Sequence, residues 1–231
     1  MPLRTNNQMR EVPVHIPVAT EQPSFQLEAR MGSSSGSTSD DPAGVAICHP
    51  HPLYGGDMDN SVVRALRDVF AELGMTTLRF NFRGVGGSSG RYGAGVGEVA
   101  DLCGAFSFLK TEGVCRFYGA GYSFGSWVLL QAIMGQADGR CLDVPLLGLV
   151  LVSPPLEVMD FKNLRLPQGI PTLILVGSED CFCSIRSLQT WLGAGTPTDR
   201  SVVTIAGADH FYGHRLGELQ HHVRSVVAGW L

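Results

Sequence analysis

Hydrophobic and polar positions follow two patterns along the chain, and both are typical of β-strands. Near the N-terminus, Val12–Val18 and Ser24–Met31 show the period-two alternation of half-buried strands. Six further segments are predicted as strands: Gly44–Cys48, Thr76–Phe82, Cys115–Gly119, Leu146–Ser153, Thr172–Val176 and Ser201–Ile205. Of these, Leu146–Ser153 and Thr172–Val176 are continuous apolar runs, as in strands that are buried on both faces of a parallel sheet. The patterns together predict about eight strands.

Segments with helical spacing separate most of these strands from the third onward. The predicted helices are Asn60–Leu73, Val99–Leu109, Phe124–Met134, Ile185–Leu192 and Leu216–Leu231. Alternation of strands with helices predicts an α/β, doubly wound sheet, in which ligands bind beyond the carboxyl ends of the strands. We expect one domain over residues 1–231, with 32–42, rich in Gly, Ser and Asp, as a mobile loop within it.

Composition and charge exclude several classes of protein. The 231 residues are 44% hydrophobic and carry a net charge of −4 without a basic stripe, which argues against nucleic-acid binding. Met1–Arg10 is polar, and no apolar run approaches the roughly 20 residues of a membrane helix. The six cysteines form no disulfide framework, so we interpret all of them as reduced thiols. These features predict a cytoplasmic protein and leave its oligomeric state open.

A candidate nucleophile lies in the segment Gly121-Tyr122-Ser123-Phe124-Gly125. The pattern Gly-x-Ser-x-Gly occurs three times, also within 32–36 and 86–90, but only this copy joins a predicted strand to a predicted helix. A sharp turn at that junction strains the serine and exposes its hydroxyl, and the two glycines avoid collisions with the flanking elements. The N–H of Phe124, at the start of the helix, favours an anion in the same space.

A serine hydroxyl becomes a nucleophile when a base takes its proton and an acid orients that base. Downstream of Ser123, the strand Thr172–Val176 leads into Glu179 and Asp180, of which we choose Asp180 and keep Glu179 as the alternative. The next strand leads into His210, again in a loop beyond a strand end. The order Ser, then acid, then His is the order that α/β hydrolases use.

The loop His49-Pro50-His51-Pro52-Leu53 follows the third predicted strand and is a candidate for the second oxyanion donor. Pro50 and Pro52 have no N–H, so the donor must come from His51 or Leu53, and we choose His51 to act with Phe124. The histidine pair could instead indicate a metal site, with Asp57 and Asp59 nearby, but no further cluster completes it. We therefore expect neither a metal nor another cofactor.

Four segments, HPHPLYGGDMDN, RFNFRGVGGSSGRYGAGVGEVADL, GAGYSFGSW and GADHFYGHRL, resemble small uncharacterised α/β-hydrolase proteins near the dienelactone-hydrolase, Xaa-Pro dipeptidyl-peptidase-like and serine-aminopeptidase-like groups. The resemblance begins near Gly44 and implies a mostly parallel eight-stranded sheet whose second strand is antiparallel. It also implies a triad of Ser123, Asp180 and His210. Dienelactone hydrolases proper use Cys where this chain has Ser123.

The chain leaves no room for a separate cap domain, and only residues 154–170 could form a partial lid. We expect Tyr54, Tyr122 and Leu156 to contact a small-molecule acyl substrate. The predicted function is that of a metal-independent serine hydrolase acting on a small ester, thioester or amide, with esterase activity favoured over peptidase activity. The alternatives are a serine peptidase, of the aminopeptidase or Xaa-Pro dipeptidyl-peptidase-like kind, and a non-catalytic α/β-hydrolase scaffold.

Overall fold

The computed structural model describes residues 11–18, 25–33, 41–135, 142, 144–193 and 199–231. Within these residues the strands form one sheet, ordered β1-β2-β4-β3-β5-β6-β7-β8. The strands are β1 (Glu11–Pro17), β2 (Gln26–Gly32), β3 (Ala43–Cys48), β4 (Thr76–Phe80), β5 (Arg116–Tyr122), β6 (Leu146–Val152), β7 (Thr172–Gly177) and β8 (Arg200–Ile205). Strand β2 is antiparallel to both its neighbours, and the strands from β4 across to β8 are parallel. The predicted α/β fold with a mostly parallel eight-stranded sheet is confirmed.

Helices cover both faces of the sheet. They are α1 (Ser61–Glu72), α2 (Val96–Thr111), α3 (Phe124–Met134), α4 (Ile185–Leu192) and α5 (Leu216–Val227), with short 3-10 helices at Pro52–Tyr54 and Ala228–Trp230. Because successive strand side chains point to opposite faces, β3 supplies both cores. Ala46 and Cys48 pack in the core under α2 and α3, whereas Val45 and Ile47 pack in the core under α1 and α5.

Helix α2 begins three residues earlier than the apolar spacing predicts. Gly95, with φ 93°, turns the chain into the helix, and the Glu98 carboxylate accepts the N–H groups of Gly93 and Gly95. The preceding glycine-rich loop is also tied to α2 by Arg83, whose guanidinium and backbone N–H donate to the buried Asp101 carboxylate. Capping by a side chain, which apolar periodicity does not reveal, therefore determines where this helix starts.

One cysteine contradicts the expectation of six reduced thiols. Cys103, on α2, is disulfide-bonded, whereas Cys48, Cys115, Cys181 and Cys183 are free. Pairing depends on which chain segments meet in space, and the spacing of cysteines along the sequence did not indicate it. Most of the predicted mobile loop, residues 34–40, also lies outside the described part of the chain.

None of the helices in the described residues combines the length and the apolar character needed to cross a bilayer. The cytoplasmic location and the single domain over 1–231 stay predictions.

Candidate active site

The turn between β5 and α3 places Ser123 above the carboxyl end of the sheet. Its backbone adopts φ 54° and ψ −118°, a conformation that costs a non-glycine residue on the order of 1–3 kcal/mol. The Ser123 N–H donates to the carbonyl of Val152 on the neighbouring strand, at 2.8 Å, and so holds the turn in place. A Cβ added at Gly121 would overlap the backbone of Gly125, and one at Gly125 would overlap the backbone of Cys48. The tight strand-to-helix turn therefore requires both glycines.

A continuous chain of hydrogen bonds joins the three residue types that the sequence singled out. His210 Nε2 lies 2.9 Å from Ser123 Oγ, and His210 Nδ1 lies 3.0 Å from both carboxylate oxygens of Asp180. A carboxylate can only accept, so Nδ1 carries the proton and the Nε2 lone pair faces the serine hydroxyl. In this arrangement the imidazole can take a proton from Ser123 while Asp180 fixes its tautomer.

Asp180 is held as a carboxylate by its surroundings. Burial by itself would raise the pKa of this group, but the hydrogen bonds that it accepts leave the pKa below its ordinary value. The donors include His210 and the backbone N–H groups of Phe182 and Cys183, at 2.9 and 3.0 Å from Oδ1. Glu179, the alternative acid, is exposed, and no hydrogen bond joins it to His210. The geometry therefore favours Asp180.

Contacts between the loops after β7 and β8 bring Asp180 and His210 together. The N–H of Glu179 donates to the Ala208 carbonyl at 2.9 Å, and a Cβ on Gly177 would overlap that same carbonyl. The Tyr122 hydroxyl, buried below the elbow, donates to the His210 carbonyl at 2.8 Å. Tyr122 thus links the strand that carries the serine to the loop that carries the histidine.

Backbone strain is concentrated around this site. In the part of the chain that the structure describes, the non-glycine residues with positive φ are Ala94, Ser123, Ser153 and Tyr212. The side chains of Ser153 and Tyr212 share a hydrogen bond of 2.8 Å, and Ser153 also bonds to Asp180. Strain of this kind persists where surrounding contacts over-determine the backbone, which is a common property of functional sites.

His49 has a structural role in the loop after β3. Its ring is fully buried, with Nδ1 2.6 Å from the Pro50 carbonyl and Nε2 accepting the N–H of Phe82 at 3.0 Å. Both ring nitrogens are therefore occupied by backbone groups, which removes His49 from the alternative metal pair. Within the described residues, no three His, Cys, Asp or Glu side chains cluster as metal ligands would.

The buried, neutral His49 is expected to make stability depend on pH. Burial lowers the pKa of His49 to about 4, so between that value and its ordinary value of 6.5 the unfolded chain binds a proton that the folded chain does not. The free energy of unfolding should consequently fall as the pH falls, by about 2 kcal/mol between pH 7 and pH 5 from this residue. Urea unfolding at both pH values measures the fall.

The variant His49→Gln should lose that part of the pH dependence, whatever its stability at pH 7. His221→Gln, on the exposed surface of α5, is the matched control and should keep the wild-type difference. An undiminished difference between pH 7 and pH 5 in His49→Gln would contradict the assignment.

Two backbone N–H groups close to Ser123, those of His51 and Phe124, have no hydrogen-bond acceptor among the described residues. The N–H of Leu53 donates to Nδ1 of His51 at 3.2 Å, so of the two donors that the sequence left open, Leu53 is engaged. Among the described residues, no group accepts the N–H of His51 or of Phe124, and the rings of these residues lie 4.8 Å apart. Gly56 allows the loop to close, because a Cβ there would overlap Pro50.

A cavity of about 530 Å³ opens over Ser123 and His210. Of the residues expected to contact substrate, Tyr54 and Tyr122 line the cavity and Leu156 does not, since it packs partly buried against the core under α2 and α3. The remaining lining residues are Pro50, His51, Gly55, Gly56, Asn60, Tyr92, Phe124, Pro155, Val158, Met159, Phe182 and Phe211. Among the described residues, this lining includes no Asp, Glu, Lys or Arg.

Several of these lining residues were missed by sequence reasoning. Tyr92 comes from the glycine-rich loop, Phe182 and Phe211 come shortly after Asp180 and His210, and Val158 comes from the 154–170 segment. Aromatic residues next to the predicted acid and histidine were a usable signal for Phe182 and Phe211. Tyr92 carried no such signal, since 31 residues separate it from Ser123 in the sequence.

Residues 154–170 form a fixed wall of the cavity. The indole N–H of Trp127 donates to the Asp160 carbonyl at 2.9 Å, and that of Trp191 donates to the Leu164 carbonyl at 3.0 Å. The N–H of Glu157 donates to the Phe182 carbonyl at 3.0 Å, next to the acid. The described residues contain no separate cap domain, as predicted.

Fold and site together define an α/β hydrolase. No protein-family model matches the chain. It is 32% identical, over 97% of its length and 99% of the other chain, to an α/β serine hydrolase homologue from Coxiella burnetii, with a TM-score of 0.75. It is 25% identical to XC6422 from Xanthomonas campestris, described as an α/β serine hydrolase without lid, with a TM-score of 0.81 over 100% and 98% of the two chains.

A further relative, an uncharacterised protein from Rickettsia prowazekii (strain Madrid E), is 32% identical over 214 residues, which are 89% of this chain and 85% of that protein. The chain belongs to the α/β-hydrolase superfamily, among its serine hydrolase homologues. The resemblance that the motifs indicated is thereby confirmed.

Proposed function

We propose that the protein is a metal-independent serine hydrolase that cleaves small neutral esters through Ser123, His210 and Asp180. The observation that carries the proposal is the hydrogen-bonded chain from Ser123 Oγ through both nitrogens of His210 to the Asp180 carboxylate. Kinship with serine hydrolase homologues supports the same chemistry. Each of the three residues follows a strand of the same sheet, so the scaffold fixes their separations.

In the proposed mechanism, His210 takes the Ser123 proton as the hydroxyl attacks the carbonyl carbon of the ester. The N–H groups of Phe124 and His51 receive the negative oxygen of the tetrahedral intermediate, because both lack an acceptor among the described residues and both residues line the cavity beside the serine. His210 then gives its proton to the departing alcohol, which leaves an acyl group on Ser123. Water, activated by the same histidine, releases the acid and restores the serine.

The lining of the cavity favours esters over peptides. An aminopeptidase or a dipeptidyl peptidase must bind the ammonium group of its substrate, a task for which enzymes use a carboxylate. The lining residues that the structure describes include no Asp, Glu, Lys or Arg, and most of them are aromatic or aliphatic. A charged chain end would lose its hydration there without compensation, whereas a neutral ester would not.

Covalent labelling tests the proposal directly. A fluorophosphonate probe should modify the folded protein, and peptide mapping should place the adduct on Ser123, because the probe reacts only with an activated serine. A panel of p-nitrophenyl esters, an acyl thioester and aminoacyl p-nitroanilides should show turnover of the esters, with EDTA leaving the rate unchanged.

Faster cleavage of the aminoacyl amides than of the esters would favour a serine peptidase instead. Folded protein that neither labels nor turns over any substrate would favour a non-catalytic scaffold, since a hydrolase fold does not guarantee activity. Inhibition by the chelator would contradict metal independence.

A further inference from the structure

Two polar side chains in the wall of the cavity, His51 and Tyr92, form a hydrogen bond with each other. The direction of this bond determines whether the Tyr92 hydroxyl proton is left to bind a ligand. His51 and Tyr92 both line the cavity, and His51 Nε2 lies 3.1 Å from the Tyr92 hydroxyl oxygen. The other ring nitrogen of His51, Nδ1, accepts the N–H of Leu53. Nδ1 therefore presents its lone pair, and in the neutral ring the proton sits on Nε2.

With the proton on Nε2, His51 is the donor to the Tyr92 oxygen. The hydroxyl proton of Tyr92 then has no part in this bond, and it is available to donate elsewhere. Burial lowers the pKa of His51, against an opposing influence of Glu98, which keeps the ring neutral near pH 7. Burial, reinforced by the Glu98 charge, raises the pKa of Tyr92, which keeps its hydroxyl protonated. Tyr92 thus presents a donor to the cavity.

The glycine-rich loop holds Tyr92 in a defined position. Immediately after it, the N–H groups of Gly93 and Gly95 are bound by the Glu98 carboxylate at 2.8 and 2.7 Å. The Tyr92 ring packs against those of His51 and Phe124, with centroids 5.0 and 6.0 Å apart. A donor that is fixed before binding loses little conformational entropy when a ligand accepts from it.

Resting on the proposed function, we propose that the enzyme selects neutral esters that carry an oxygen acceptor away from the scissile bond, and that the Tyr92 hydroxyl binds this oxygen. The acceptor would be an ether, hydroxyl or keto oxygen in an otherwise apolar chain. Elsewhere the wall includes the apolar side chains of Val158, Met159, Phe182 and Phe211. Tyr92 is then the residue that determines specificity, and it acts on substrate binding while His210 and Asp180 act on the chemistry.

An oxygen scan of isosteric substrates tests this inference. In p-nitrophenyl hexanoate, one methylene at a time is replaced by an ether oxygen from the third carbon of the acyl chain onward, and the same scan is made from the third carbon of the alcohol portion of hexyl acetate. For each ester, kcat/KM is divided by that of its all-carbon parent, for wild type and for Tyr92→Phe. Dividing the wild-type ratio by the variant ratio cancels the intrinsic reactivity of each ester.

The wild type should prefer one oxygen position in one of the two series. At that position the preference should fall by about five- to tenfold in Tyr92→Phe, which is the size expected for one neutral hydrogen bond, and the loss should appear mainly in KM. Tyr54→Phe is the comparison variant, because it removes the hydroxyl of an exposed tyrosine from the same cavity. It should keep the oxygen preference, and loss of the preference in Tyr54→Phe instead of Tyr92→Phe would overturn the assignment to Tyr92.

An equal loss on every ester, with no change in preference, would assign Tyr92 a merely structural role and overturn the inference while the proposed function stands. Faster turnover of a carboxylate-terminated ester than of the neutral esters would contradict the proposal that the substrates are neutral. Absence of both turnover and fluorophosphonate labelling in the wild type would overturn the proposed function and the inference with it.

Discussion

Replacing Ser123 by alanine is expected to lower kcat for p-nitrophenyl ester hydrolysis by about 10⁵-fold or more, to the level left by the oxyanion donors alone. The alanine removes the only atom that can form the acyl-enzyme, and His210 then has no hydroxyl to deprotonate. Initial rates at saturating ester concentration measure the effect. Fluorophosphonate labelling of the same variant should disappear.

Ser88→Ala is the matched control for this substitution. Ser88 is the central serine of another Gly-x-Ser-x-Gly segment, but its hydroxyl is buried, donates to the Asn81 carbonyl and accepts the N–H of Glu28. Its loss should lower the free energy of unfolding by about 1 kcal/mol and leave the labelling of Ser123 intact. Wild-type turnover by a folded Ser123→Ala protein would rule out the proposed nucleophile.

Asp180→Asn should lower kcat by about 10⁴-fold with little change in KM. One oxygen of Asp180 accepts the N–H groups of Phe182 and Cys183, so in the asparagine the amide oxygen should keep that position and the NH₂ should face His210. An NH₂ that donates to Nδ1 places the imidazole proton on Nε2, opposite the serine hydroxyl. His210 then cannot act as the base. The loss should therefore persist across the whole ester panel, measured as kcat at each pH between 6 and 9.

Glu179→Gln distinguishes the two neighbouring acids. The Glu179 side chain is exposed and has no hydrogen bond to His210, so this variant is expected to retain kcat within about threefold. Reversal of the two results, with a large loss for Glu179→Gln and little for Asp180→Asn, would contradict the assignment of the acid.

The elements that place the site were largely predictable from the sequence. Helices α3 and α4 begin and end at the predicted residues, and α1 lies within one residue of its prediction at each end. These segments have strong apolar periodicity, and residues typical of helix ends lie on either side of them. One such residue is Asn60, whose side chain caps α1. The positions of Ser123 and His210 follow from the same pattern, because Ser123 directly follows β5 and His210 lies in the loop after β8, and the carboxyl ends of parallel strands meet at one edge of the sheet.

Chain order could not decide the roles of individual loop residues. Asp180 and Glu179 are adjacent in sequence, and only the packing of the β7 loop against Ala208 turns Asp180 toward His210. His49 and His51 are two residues apart in the same motif, yet one is buried between backbone groups and the other lines the cavity. Whether a loop side chain points into the site depends on the backbone conformation of the loop. That conformation depends in turn on contacts with residues that are distant in the sequence.

The sequence by itself determined the α/β alternation, the position of the elbow at Ser123 and the order of acid and base, because strand and helix periodicity are local properties of the chain. Only the tertiary structure decided that Tyr92 lines the cavity and Leu156 does not, and that Cys103 is disulfide-bonded. These contacts join segments that are far apart in the sequence. The geometry of these contacts is set by the packing of whole strands and helices, so it cannot be predicted from the sequence of any one segment.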